Sequence, residues 1–164
     1  MSSRRQTVVH GLALVFAAGT LMPLAAIGQA NNPAPSYRPG LGDLMTMTVQ
    51  PRHIKLLLAG HEQNWPYAKY ELKELQEAFE RIARAVPRYR GLPMGGMIDA
   101  IAKGPIDELA KAIDAKDEVA FDAGYEKLTQ GCNACHQAAN VGMVVIKVPN
   151  GSSFPDQDFR PVKP

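Results

Sequence analysis

The stretch Tyr125–Asn140 reads YEKLTQGCNACHQAAN and contains both cysteines of this 164-residue chain. Cys132 and Cys135 are three positions apart, and His136 follows at once. Apolar residues recur before them at alternating spacings of four and three, which is typical of one buried face of an α-helix. The residues on this face are Phe121, Tyr125, Leu128, Cys132 and Cys135. The sequence therefore predicts a last helix from about Asp117 to Asn140, with Val119 at its start and both cysteines on its buried face.

The pattern Cys-x-x-Cys-His is the attachment signature of c-type haem. The two thiols bond to the vinyl groups of the porphyrin, and the histidine ligates the iron. Residues three apart on a helix share a face, so Cys132 and Cys135 can both reach one porphyrin edge while His136 projects toward the metal. These three residues are predicted to bind one covalent haem c per chain, with His136 as the proximal iron ligand.

Two other chemistries use paired cysteines. A thiol–disulfide redox pair typically sits at a helix N-terminus, whereas about fifteen predicted helical residues precede Cys132. A structural zinc site needs a fourth ligand, and His53 and His61 lack finger-like spacing. The haem site is therefore the preferred interpretation.

Three more helical segments are predicted upstream. The first runs from Leu41 to about Gly60, with Pro51 as a kink or boundary. The second follows the N-cap residue Asn64 and ends at Pro87. Its apolar face comprises Leu72, Leu75, Phe79, Ile82 and Val86.

The segment 88–96, RYRGLPMGG, is predicted to be a loop. Residues 97–117 then form a third helical stretch, interrupted at Gly104 and Pro105. No alternation of strand length appears before residue 143, and the connections are short. The predicted fold class is all-α: an antiparallel four-helix bundle with haem on the C-terminal helix, followed by an irregular C-terminal tail.

The N-terminus has the features of a secretory signal. Arg4 and Arg5 precede an apolar run over residues 11–27 and a small-x-small site at Gly28–Ala30. Residues 1–30 are predicted to be a cleaved signal peptide, which makes the mature chain periplasmic and without a membrane span; a retained anchor is the alternative. Residues 31–40 are predicted to be an extended leader, 41–142 the helical domain and 143–164 a tail. The apolar residues of the tail are expected to pack over the helical domain or one haem edge.

The charge balance limits the partners. The whole chain has a formal net charge of +2. Removal of residues 1–30 takes away two arginines and no acidic residue, so basic and acidic side chains balance in the mature chain. A nucleic-acid partner requires a basic surface, so none is predicted.

With its motif near the C-terminus and the helical sequence upstream, the region 41–140 resembles the cytochrome c′ superfamily, the class II c-type cytochromes. The resemblance implies a four-helix bundle that carries haem on its last helix. Family members commonly end soon after the motif, whereas this chain continues into a long tail. The run Asp43-Leu44-Met45 is similar to the pattern with which low-spin members place a methionine on the first helix. The resemblance thus implies Met45 as the distal iron ligand, with Met47 as the alternate; ordinary core methionines are the competing interpretation.

Other side chains near the predicted site have simpler interpretations. His53 has basic neighbours in the sequence and is predicted to be solvated, or close to the metal without binding it. His61 is predicted to be a helix cap or surface residue. Met143 follows His136 by seven residues and stays on the proximal side. For Tyr125, contact with the haem edge and simple core packing are both open.

These observations predict an exported monohaem cytochrome that carries single electrons in the periplasm, with a redox partner protein and no enzymatic activity. The alternative is a gas-binding haem protein for NO or CO with five-coordinate iron. A non-haem disulfide or interaction module would follow only if no haem were attached. A homodimer stays open.

Overall fold

The computed structural model describes residues 37–163, so the predicted signal peptide and most of the leader lie outside the described residues. The described chain is mostly helical and belongs to the all-α class. Its helical elements are α1 (Leu41–Leu44), a π-helical turn (Met45–Val49), α2 (Gln50–His61), α3 (Trp65–Ala85), α4 (Met94–Ala115) and α5 (Glu118–Ala138). An antiparallel hairpin of two short strands, β1 (Arg88–Tyr89) and β2 (Leu92–Pro93), connects α3 to α4, with Tyr89 opposite Leu92.

The first helical segment runs from Leu41 to His61 without a break, because Met45 and Gln50 keep right-handed helical backbone angles at the junctions. The π-helical turn lies directly before Pro51. Proline has no N–H to donate into the preceding turn, and its ring crowds the carbonyl four residues back. A wider turn relieves this crowding. The boundary predicted at Pro51 is therefore a change of helix type rather than a helix end.

The termini of α3 follow the sequence prediction. The side chain of Asn64 accepts a hydrogen bond from the Tyr67 backbone N–H at 3.3 Å, which satisfies one of the free donors of the first turn. The helix ends at Ala85, just before Pro87. The predicted apolar face is buried at Leu72, Leu75, Phe79 and Ile82.

The structure of α4 differs from the prediction at two points. Residues 94–96 belong to the helix rather than to a loop, and Gly104 and Pro105 do not interrupt it. Pro105 has no N–H, so the carbonyl of Ile101 lacks the hydrogen bond that it would otherwise accept from residue 105. That oxygen faces α5, where a Cβ added at Gly131 would lie 2.7 Å from it. Both halves of α4 bury apolar side chains in the same core, and this packing outweighs the loss of one hydrogen bond.

Both ends of α5 are capped. The Asp117 side chain accepts a hydrogen bond from a backbone N–H of the first turn. At the other end Asn140 has left-handed backbone angles, with φ at 55°. The N–H of Asn140 bonds to the carbonyl of Gln137 at 3.1 Å, and the N–H of Val141 bonds to that of His136 at 2.9 Å. These two bonds form a Schellman motif, which reverses the chain immediately after the helix.

The core lies between the helices. α4 packs extensively against α5 and α3, and α2 packs against α3. Val119, at the start of α5, is 82% exposed and lies outside the core. The largest fully buried side chains are Tyr125, Phe121, Leu56, Leu57, Leu75, Ile82, Met94, Leu109, Leu128 and Glu71. Among the described residues, no helix combines the length and apolar character needed to cross a membrane.

Residues 143–163 form no helix or strand but pack on the helices. Phe159 is buried, and its ring stacks on that of Tyr67 with 5.6 Å between the centroids. The Asn64 amide donates to the Phe159 carbonyl at 3.1 Å, and the Lys55 ammonium lies 4.5 Å from the centre of the Phe154 ring. The predicted packing of the tail is therefore present at its phenylalanines. The exposed apolar residues of the tail are Met143, Val144, Val145, Val148 and Val162, so the packing predicted for the tail does not extend to Val144, Val145 and Val148.

Candidate functional site

A cavity of about 250 Å³ lies between the first helical segment and the C-terminal half of α5. The hairpin, α3, the N-terminal half of α4 and the beginning of the tail complete its walls. Most of its lining is apolar, which suits a flat apolar cofactor and limits access of water. The lining residues with chemistry of their own are Met45, His53, Cys132, Cys135 and His136.

The two cysteines reach this cavity from α5. Cys135 is buried, Cys132 is half-buried, and both are free thiols. Burial, reinforced by the neighbouring Cys135, raises the pKa of Cys132 to about 11. Burial also raises the pKa of Cys135. Disulfide exchange requires a thiolate, and reactive cysteines accordingly have lowered pKa values, so this environment disfavours the thiol–disulfide interpretation.

The ring of His136 is oriented by the tail. Its Nδ1 lies 2.6 Å from the carbonyl oxygen of Val144. A carbonyl oxygen only accepts hydrogen bonds, so Nδ1 carries a proton and donates it. In the neutral ring Nε2 then has a free lone pair, which is the form of histidine that binds metals. His136 therefore lines the cavity in the tautomer that a metal ligand requires.

The two candidate methionines have different surroundings. Met45 is half-buried, packs against the core and lines the cavity together with Cys132, Cys135 and His136. Met47 is 72% exposed and is not part of the cavity lining. The structure thus brings Met45, but not Met47, to the predicted attachment residues.

The π-helical turn keeps one side of the first helical segment on the cavity. Leu41, Met45, Val49 and His53 line the cavity at successive spacings of four. In a straight α-helix each such step rotates the side chain by about 40° beyond a full circle, so three steps carry it about 120° around the axis. The wider turn over Met45–Val49 offsets part of this rotation. Met45 and His53 consequently face the same cavity.

His53 is buried, with 5% of its surface exposed, so of the two positions predicted for it the solvated one is wrong. A position close to the metal without binding it stays a prediction, and His53 lines the cavity. The prediction relied on its basic neighbours in the sequence. Arg52, however, points away from His53 and pairs with the buried carboxylate of Glu71 on α3 at 3.1 Å. Adjacent residues on a helix point about 100° apart, so a charged neighbour says little about the burial of the next side chain.

A closed set of hydrogen bonds holds the His53 ring. Thr129 donates its hydroxyl proton to the carbonyl of Tyr125 at 3.0 Å. The Nε2 of His53, 3.0 Å from the Thr129 oxygen, must therefore be the donor in that contact. In the neutral ring Nδ1 is then an acceptor, and it shares the single proton of the Tyr125 hydroxyl, 2.8 Å away, with the His53 backbone carbonyl, which lies 2.7 Å from the same hydroxyl. Both ring nitrogens are occupied, so His53 presents no lone pair to a metal, and burial lowers its pKa to about 4.

The other predicted candidates do not line the cavity. Tyr125 is fully buried in the core beside His53, which favours core packing over contact with a cofactor edge. His61 is a surface residue whose Nε2 lies 3.1 Å from the carboxylate of Asp122. Met143 is 80% exposed.

Three residues near the cavity were missed by sequence reasoning. Asn133, between the two cysteines, bonds to the backbone of Ile146 in the tail. Arg90 donates to the carbonyl of Asn140 at 2.8 Å and so binds the end of α5. Tyr89 lines the cavity from the hairpin. The motif leaves the residue at position 133 variable, so it gives no sign of the contact that Asn133 makes. The glycine of Arg90-Gly91, by contrast, is a sequence signal for a hairpin turn.

Comparisons with known proteins found no family model, no curated protein and no solved structure that matches this chain. Within residues 37–163, no group of three or more His, Cys, Asp or Glu side chains is placed to hold a metal ion by itself. Haem iron needs only one or two protein ligands, because the porphyrin supplies the others.

Proposed function

We propose that this chain is an exported monohaem c-type cytochrome, similar to the class II cytochromes of the cytochrome c′ superfamily, and that it carries single electrons in the periplasm. One observation carries the proposal: two free thiols, the imidazole of His136, whose Nδ1 is held by the Val144 carbonyl, and the thioether of Met45 line one apolar cavity. These are the donor types that a covalently attached, six-coordinate haem uses.

The proposed role of each residue follows from its surroundings. Cys132 and Cys135, one helical turn apart at the cavity wall, would hold the haem covalently. His136 would bind the iron through Nε2, because Val144 occupies Nδ1. Met45 would bind from the first helical segment, which lines the same cavity. Haem, when bound, supplies an iron atom that changes oxidation state by one electron.

The proposed architecture is an antiparallel four-helix bundle formed by the first helical segment, α3, α4 and α5. Short connections support it, since the turn from α2 to α3 and the turn from α4 to α5 each contain only a few residues. Helices joined by such short turns pack as antiparallel neighbours. The attachment residues would then lie on the last helix of the bundle.

The electron-carrier role depends on the distal ligand. A thioether ligand is compatible with both oxidation states of iron, so coordination changes little when an electron is exchanged. A vacant distal position would instead admit NO or CO. The position of Met45 on the cavity wall favours the electron carrier.

Covalent attachment is tested by mass spectrometry of the denatured mature protein. We expect one additional haem mass, and colour that stays with the protein after acid-acetone extraction. Cys132→Ala and Cys135→Ala should each prevent normal maturation, because each removes one attachment bond. Haem that extracts freely from the wild-type protein would overturn the proposal.

Met45→Ala and Met47→Ala form a matched pair for the distal ligand. Both remove one methionine from the same helical turn, but only Met45 lines the cavity. We expect low-spin ferric iron with a near-infrared sulfur-to-iron band in the wild-type protein and in Met47→Ala. Ferric Met45→Ala should lose that band and become high-spin, and the reduced variant should bind CO. High-spin iron in the wild-type protein, unchanged by either substitution, would favour the gas-binding alternative.

A further inference from the structure

We propose that Asn133 is a positioning residue for His136: it fastens the start of the tail so that the Val144 carbonyl holds the histidine ring. The inference rests on the proposed haem function, since it concerns the residue that would be the proximal ligand. It gives a role to one of the two variable positions of the Cys-x-x-Cys-His motif and to the tail that follows it.

The contact between Asn133 and Ile146 is a two-point hydrogen bond. The Asn133 side-chain oxygen accepts from the Ile146 N–H at 2.7 Å, and the Asn133 amide donates to the Ile146 carbonyl at 2.7 Å. Both backbone groups of Ile146 are thereby paired with one side chain, as they would be with a neighbouring strand. An amide is the side chain suited to this contact, because it offers one donor and one acceptor.

The segment between α5 and Ile146 is therefore held at both ends. At its start the Schellman motif turns the chain back over the helix, and the Val144 N–H bonds to the Val141 carbonyl at 2.9 Å. At its end Asn133 fixes Ile146. The Val144 carbonyl lies between these two points and accepts from Nδ1 of His136 at 2.6 Å. A single loop thus connects the residue between the cysteines to the ring of the adjacent histidine.

The hydrogen bond to Val144 has two consequences for His136 as a ligand. It fixes the tautomer and the rotation of the ring. Donation from Nδ1 also makes Nε2 more basic, and a more basic ligand favours ferric over ferrous iron. Asn133, which touches neither the ring nor the carbonyl of Val144 in the described contacts, acts through the loop.

Asn133→Ser and Asn64→Ser test the inference in the holo-protein. Each substitution removes a side-chain amide that bonds to the tail backbone, at Ile146 in one case and at Phe159 in the other. Serine keeps the N-cap acceptor of α3 at residue 64. Only Asn133→Ser should speed hydrogen exchange of the Ile146 amide, speed solvent exchange of the His136 Nδ1 proton seen by NMR, and raise the reduction potential.

The outcomes separate this inference from the proposed function. Asn133→Ser could carry normal covalent haem with an unchanged reduction potential and an unchanged exchange rate of the His136 Nδ1 proton. That result would overturn the positioning role and leave the cytochrome assignment intact. An equal shift of potential in both variants would also overturn it, because the effect would then be a general loosening of the tail. If the wild-type protein carried no covalent haem, the proposed function would fail instead.

Discussion

Burial of His53 makes a definite prediction about the pH dependence of stability. In the folded protein the pKa of this histidine is lowered to about 4 from an ordinary value of 6.5 because burial disfavours the charged ring. The neighbouring groups that face its two nitrogens, the Tyr125 hydroxyl and the Thr129 hydroxyl, are uncharged and already fully engaged. The unfolded chain therefore binds this proton more readily than the folded one.

The sign and size of the effect follow from this difference. The stability that the folded protein has with His53 neutral is fully present above about pH 6.5. It is lost as the pH falls toward 4, because the unfolded state takes up the His53 proton first. A difference of this size corresponds to about 3 kcal/mol in the free energy of unfolding, of which roughly 2 kcal/mol is lost between about pH 7 and about pH 4.5.

The assay is urea unfolding of the holo-protein, followed by helical circular dichroism at about pH 7 and about pH 4.5. His53→Gln cannot titrate, so its loss of stability between the two pH values should be smaller than that of the wild-type protein by roughly 2 kcal/mol. His61→Gln, a change at a surface histidine, is the control and should keep the wild-type difference. Equal pH dependence in the wild-type protein and His53→Gln would refute the reasoning.

Three further substitutions test the packing. Gly60→Ala would place a Cβ against the buried ring of Phe121 and should lower the free energy of unfolding by about 1–3 kcal/mol. Gly96→Ala, with nothing within 4 Å of the added Cβ, should raise it by roughly 0.5 kcal/mol. Urea denaturation measures both, and equal losses would contradict the assigned contact. Phe159→Ala removes the ring that stacks on Tyr67, so a protease should trim the tail faster while helical circular dichroism stays unchanged. A tail as resistant as in the wild-type protein would show that other contacts hold it.

The elements that sequence predicted well are those fixed by local chemistry. The start of α3 depends on Asn64 and Pro66, and the end of the helix on the nearby Pro87, all readable within a few residues. The spacing of apolar residues likewise placed α5, because a helical face repeats over short distances. The prediction of Met45 as a distal ligand rests on a resemblance, because periodicity shows which residues share a helix face but not which of them would bind iron.

The features that sequence did not predict depend on contacts between distant residues. His53 bonds to side chains 72 and 76 positions away, so its burial has no local signature. The fastening of Ile146 by Asn133 spans 13 positions across a chain reversal. The continuity of α4 through Pro105 requires the packing of both halves of the helix in one core, which no local propensity reports.

The close approach of α4 and α5 also makes two distant positions an epistatic pair. Pro105 leaves the Ile101 carbonyl without its usual donor, and Gly131 is the residue whose missing side chain lets α5 approach that oxygen. A side chain at residue 131 would force α5 outward and carry the adjacent Cys132 with it. A residue with an N–H at position 105 could donate to the Ile101 carbonyl within α4. The effect of a side chain at residue 131 on that oxygen would then differ. We therefore expect substitutions at 105 and 131 to have non-additive effects on the free energy of unfolding, because both act on the Ile101 carbonyl. Which residues are tolerated at one position then depends on the residue at the other.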